Sequence, residues 1–124
     1  MEIDLDALRS YCLTKKGKIS EEFPFDEYTL VFKLHGKIFI LISTEAHPVT
    51  INLKCEPGRA IELREQYPSV EPGYHMNKKH WNTISLDGSI PPNEIFAMID
   101  HSYDLVTKTA RLSPRKQPAK NKSR

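Results

Sequence analysis

The chain has 124 residues, 39% hydrophobic and 27% charged, enough for one domain with a buried core. Its longest apolar run, within 37–42, is far short of the roughly 18 residues a membrane span needs, and the acidic start Met1-Glu2-Ile3-Asp4 is unlike a signal peptide. The formal charge of +2 is unevenly divided: seven of the 18 Lys and Arg lie from Lys108 onward, leaving 11 against all 16 acids, a net of −5, in the preceding body. The negative body argues against a globally basic nucleic-acid binder and the cationic tail argues for one, so anion binding by the body has to be local. Cys12 and Cys55 stand in unrelated patterns, which fits reduced thiols and an expected cytoplasmic location better than a disulfide or metal site.

Asp4 reads as the N-cap of a helix with Leu5, Leu8, Tyr11 and Cys12 at helical spacing, ending at Lys15-Lys16-Gly17 with cations in its last turn. The 19–25 stretch contains Pro24 and is predicted to be an edge strand or extended arm. Alternation over 28–35 puts Leu30, Phe32 and Leu34 on one face and Thr29, Val31 and Lys33 on the other; Gly36-Lys37 turns the chain into a strand over 38–43. A third strand, 49–55, points Val49, Ile51, Leu53 and Cys55 inward. These neighbours are expected to be antiparallel because their connections are short. A helix follows from Pro57 through Tyr67, stopped by Pro68. Strands over 70–76 and 81–86 flank a polar turn, Asn77-Lys78-Lys79-His80, with Gly73 at its entrance. The last helix opens at Pro91-Pro92-Asn93-Glu94 and buries Ile95, Met98, Ile99, Ser102, Tyr103 and Val106. The order of elements predicts an α+β two-layer sandwich: an antiparallel sheet with helices on one face. Residues 1–110 form the domain and 111–124 a disordered basic tail, too poor in apolar residues to order itself.

Three stretches carry a resemblance: Asn52-Leu53-Lys54-Cys55-Glu56-Pro57, the segment from Pro72 to Thr83, and Asp100-His101-Ser102-Tyr103-Asp104-Leu105-Val106. In this order, below a Lys-Ile-Phe strand, they resemble the YjbR/MmcQ family of small bacterial proteins. The resemblance implies a CyaY/frataxin-like sandwich and a double-wing DNA-binding role, with no enzymatic activity. One wing is then the turn of Asn77, Lys78, Lys79 and His80. The other is the 34–37 turn, where Lys33, His35 and Lys37 offer polar contacts.

Read as residues, Lys78 and Lys79 are suited to phosphate oxygens, Asn77 and Asn82 to phosphate or base edges, and Trp81 with Tyr74 to stacking on sugar or base. His75, His80 and Lys37 complete the candidate nucleic-acid set. The competing reading is a solvated charged turn beside a packing tryptophan. His75 and His80 lack further ligands for a metal, and Glu2, Asp4 and Asp6 are explained by the helix macrodipole without iron. No cofactor is expected. His101 and Asp104 read as a local structural pair or a cap on a sheet edge. No phosphate loop, nucleophile elbow or HExxH occurs. Double-stranded DNA is the expected partner, with no membrane role and a monomer favoured. The alternative is a non-enzymatic small-molecule or protein-binding module using the open sheet face around Trp81 and Asn52.

Overall fold

A computed structural model describes residues 3–73 and 76–112, with side chains described as far as 109. Helix α1 (Leu5–Leu13) leads into strands β1 (Ile19–Glu22), β2 (Thr29–Leu34), β3 (Lys37–Ser43) and β4 (Thr50–Lys54). Then come α2 (Pro57–Gln66), β5 (Val70–Pro72), β6 (Trp81–Ser85) and α3 (Pro92–Leu112). The strands form one six-stranded sheet in the order β1-β2-β3-β4-β6-β5, and every pairing is antiparallel. The predicted α+β sandwich is the observed architecture. Leu8 and Cys12 of α1, Ala60 and Leu63 of α2, and Ile95, Met98, Ile99 and Val106 of α3 all pack on one face of the sheet, against Leu30, Phe32, Ile40, Ile42, Ile51, Leu53 and Ile84.

Local chemistry accounts for the element ends. The Asp4 carboxylate accepts from the Ala7 amide at 2.8 Å and so caps α1. This helix ends before the cations predicted for its last turn: Lys15 lies beyond it and pairs with Asp100 of α3 instead. The β2–β3 turn sits at His35-Gly36, both with positive φ (49° and 82°), as a two-residue hairpin turn matching the strand twist requires. Strand β1 ends at Glu22, before Pro24, and it is an edge strand as predicted. Strand β5 is much shorter than the predicted 70–76, so the connection to β6 is a longer loop. Helix α3 continues to Leu112, two residues past the expected domain boundary; the remainder of the predicted tail, 113–124, lies outside the described residues.

A bulge in β3 ties α3 to the sheet. Phe32 pairs with Ile40 but Lys33 with Ile38, so Phe39 is an extra residue, and the β3–β4 ladder starts only at Ile40 and Leu53. The Ser102 hydroxyl, wholly buried, donates to the Phe39 carbonyl at 2.6 Å and accepts from the Lys54 amide at 3.0 Å. It thereby occupies the place of the missing ladder bond. Beside it, the Tyr103 hydroxyl donates to the Lys16 carbonyl, and Tyr11 donates to Asp100 at 2.5 Å.

The register gives the sheet two chemically different ends. Leu34 pairs with Lys37 and with Ile19, while Lys54 pairs with Trp81. The Lys16-Gly17-Lys18 loop, the β2–β3 turn, the end of β4 and the start of β6 therefore lie at one end. The other end carries the β1–β2 connection with Asp26 and Glu27, then Glu45, then Asp87 after β6.

Candidate nucleic-acid interface

The 77–80 turn is built by backbone bonds and one clamp. The Asn77 side chain accepts from the Lys79 amide at 2.9 Å, and the Asn77 carbonyl accepts from the amides of His80 (3.2 Å) and Trp81 (3.0 Å). The His80 carbonyl accepts from the Cys55 amide at 2.8 Å, which fastens the turn to the end of β4. From α2, the Arg64 guanidinium donates to the Lys78 carbonyl, to the Asn82 side chain at 2.8 Å and to the Trp81 carbonyl at 3.4 Å. Arg64 thus holds the turn from beneath while Asn77, Lys78, Lys79 and His80 stay exposed.

Gly73 has a specific reason to be glycine. Its amide donates to the Trp81 carbonyl at 2.8 Å, and a Cβ there would lie 2.8 Å from the Trp81 Cβ and 3.0 Å from that carbonyl oxygen.

The structure sorts the predicted residues. Lys78, Lys79, His80, Asn77 and, on the second turn, Lys37 are exposed at the same end of the sheet. Trp81 is partly buried, on the face opposite the helices, in register with Lys54. Asn82 requires a correction: it is paired with Leu53 on the helix-covered face, is 1% exposed and is held by Arg64, so it cannot reach a nucleic acid. Its Nδ2 is a buried donor without a hydrogen-bond partner among the described residues. Lys33 also leaves the second wing, because its ammonium pairs with Glu22 at 3.0 Å. Tyr74 and His75 lie outside the described residues. Asp4 is occupied as a helix cap, and among the described residues no three His, Cys, Asp or Glu side chains come together as a metal-ligand set.

Sequence reasoning passed over Lys16, Lys18 and Lys54, which share this end with Lys37, Lys78 and Lys79. Among the described residues none of these six lysines forms a salt bridge. Glu56 and Asp104 line the neighbouring cleft together with Lys108. At the far end, Asp26 is held below the usual carboxylate range by the amides of Tyr28 and Thr29, and Asp87 by Ser89. Glu22, toward that end of β1, is lowered by Ser20 and by Lys33. Glu22, Asp26 and Asp87 are thus held ionised toward one pole, while six lysines without a salt bridge among the described residues gather at the other, where the Lys78 ammonium donates to the Gly73 carbonyl at 3.4 Å. The acidic pole also exposes Phe23 (52%), Phe25 (65%) and Tyr28 (53%), on a loop that sequence reading took for strand or arm.

A cleft beside the basic end is structural in character. His101 accepts from the Glu56 amide at 3.3 Å, and its pKa is lowered by burial and then by Arg59. Cys55 in the same wall is buried, its thiol pushed up by desolvation; burial likewise raises Cys12, to about 12. Both thiols are thereby kept protonated and inert.

Fold and site together define a small two-layer α+β domain with a polarised charge distribution and two turns projecting from its basic end. Its family is shown by comparison: the YjbR family model matches residues 13–105, and the chain belongs to the YjbR family. The chain is 32% identical over 100 residues to YjbR of Escherichia coli K12, covering 80% of this chain and 83% of that protein. It is 40% identical over 84 residues to YbdF of Escherichia coli O157:H7, 68% of this chain and 69% of that one. Among solved structures, a Deinococcus radiodurans protein with a DUF419 domain superposes with a TM-score of 0.82 at 41% identity, over 89% of this chain and 82% of that one. A Pseudomonas syringae protein gives 0.71 at 25% identity, over 84% and 99%. No described helix is long and apolar enough to cross a membrane.

Proposed function

We propose that this domain binds double-stranded DNA through its basic end, with the β2–β3 turn and the 77–80 turn contacting phosphates on either side of one groove. The observation that carries the reading is their placement. Both turns project from the same end of the sheet, and only β4 stands between β3 and β6. Two to three strand spacings separate them, about 10–14 Å. That span is comparable to the major-groove width of about 12 Å. Lys37 on one turn and Lys78 and Lys79 on the other are exposed and, among the described residues, free of carboxylate partners, with Lys16, Lys18 and Lys54 around them. Phosphate contacts of this kind supply affinity and register without reading sequence. The acidic pole turns away from the duplex and orients the approaching domain.

The test is duplex binding by fluorescence anisotropy across a salt series. The wild type is compared with Lys78→Ala/Lys79→Ala, with Lys37→Ala, and with a full-length variant whose Arg115, Lys116, Lys120, Lys122 and Arg124 are replaced by glutamine. Two lost phosphate contacts reduce the slope of log K against log salt by about 1.8. If the double alanine leaves affinity and slope unchanged while the tail variant abolishes binding, the reading is wrong.

A further inference from the structure

We infer that the helix-free face beside the 77–80 turn is a platform for an unpaired nucleobase, with Trp81 as the stacking surface, so that the protein also engages single-stranded nucleic acid. The inference rests on the phosphate-binding reading of the basic end, because it assigns a second contact to the same strand. The register places Trp81, Thr83 and Ser85 of β6 on the face that no described helix covers, side by side with Lys54, Asn52 and Thr50 of β4. Trp81 is of intermediate exposure there, with more of the residue covered than open. Position 73, which lies against Trp81, carries no side chain, and any Cβ would run into the tryptophan. The Gly73 backbone therefore packs directly on the base of the Trp81 side chain, and the Lys78 ammonium donates to the Gly73 carbonyl at 3.4 Å beside it.

The neighbours suit a nucleotide. Lys54 is adjacent in register, and Lys79 stands two residues before Trp81 in the chain, so cations stand where the backbone of a stacked nucleotide runs. One row further along, Thr83 donates to Asn52 Oδ1 at 2.5 Å, which turns the Asn52 carbonyl oxygen toward β6 and leaves its amide group as the donor for a base edge among the described residues. Glu71 pairs with Thr83 on the same face and repels phosphate. The strand is accordingly routed over β4 and the turn, not over β5. A base inside a duplex stack cannot lie on an indole set in a flat sheet; an unpaired one can, and stacking of this type is tolerant of sequence.

Trp81 is the only tryptophan, so indole emission under tryptophan-selective excitation reports this position alone. The full chain is titrated at low salt with a short oligothymidylate and with a duplex of equal length, following both labelled-DNA anisotropy and indole emission. The expected result is that the oligothymidylate binds and quenches Trp81, whereas the duplex binds with little quenching. Trp81→Ala is expected to weaken the single strand about 5- to 100-fold and leave the duplex unchanged, with Trp81→Phe retaining part of the affinity. Duplex binding with no quenching of the wild-type indole by the oligothymidylate overturns the platform and leaves the phosphate reading standing. Failure of both ligands to bind overturns both.

Discussion

Arg64 offers the sharpest test of how the 77–80 turn is held. Its guanidinium joins α2 to the Lys78 carbonyl and to the buried Asn82 side chain. In Arg64→Met the exposed Lys78 carbonyl turns to water at little cost, and the Trp81 carbonyl keeps its bond from Gly73. Asn82 Oδ1, however, is left unpaired within the core, beside an Nδ2 that already has no partner among the described residues. A buried bond to a charged donor is worth about 1.5–3 kcal/mol, so a loss of about 2–3 kcal/mol is expected. At this chain length, that corresponds to roughly 3–6 °C in Tm per kcal/mol. Arg64→Met/Asn82→Leu removes the orphaned amide as well and is expected to recover at least about 1 kcal/mol relative to additivity. Denaturant unfolding, followed by Trp81 emission and by circular dichroism, measures all three variants. A loss below about 0.5 kcal/mol in Arg64→Met, or strict additivity in the double variant, would refute this account of the clamp.

Two further outcomes follow from the buried polar groups. Ser102→Ala orphans both the Phe39 carbonyl and the Lys54 amide at the bulge and is expected to cost about 2–3 kcal/mol by chemical denaturation; a near-neutral result would mean the bulge finds other partners. His101 has a folded pKa below its ordinary value, so as pH falls through about 6.5 the unfolded chain takes up the proton first. Stability therefore declines from there down to the depressed folded pKa and is unaffected by this group above that window. His101→Gln, which keeps an acceptor for the Glu56 amide, is expected to flatten the stability profile between roughly pH 7 and pH 5. Parallel profiles for wild type and variant would contradict the assignment.

Local patterns in the sequence were enough for most of the fold. Alternation in β2 and β4, the Asp4 cap, and the helical stripe ending in Val106 each depend on neighbours within a turn or two of chain. The candidate site was less legible because its pieces meet through non-local pairing. That β4 lies beside β6, bringing Lys54 next to Trp81, is a fact of strand order that no short window contains. The same holds for Arg64, whose partners stand 14 to 18 residues further along. The misassignment of Asn82 was avoidable: alternation from Ile84 already places it on the buried face, and polarity alone suggested otherwise. The length of β5 was overestimated because the Pro72-Gly73 pair, read as the entrance to a turn, in fact ends the strand.

The location of binding is the most direct test of the central claim. Amide chemical shifts of the full chain are followed while a short duplex is added at low salt. The polarised arrangement predicts perturbations concentrated at Lys18, Lys37, Lys54, Lys78 and Lys79, with Asp26, Glu27, Glu45 and Asp87 silent. Shifts centred on the acidic pole, or confined to the residues beyond Leu112, would contradict it.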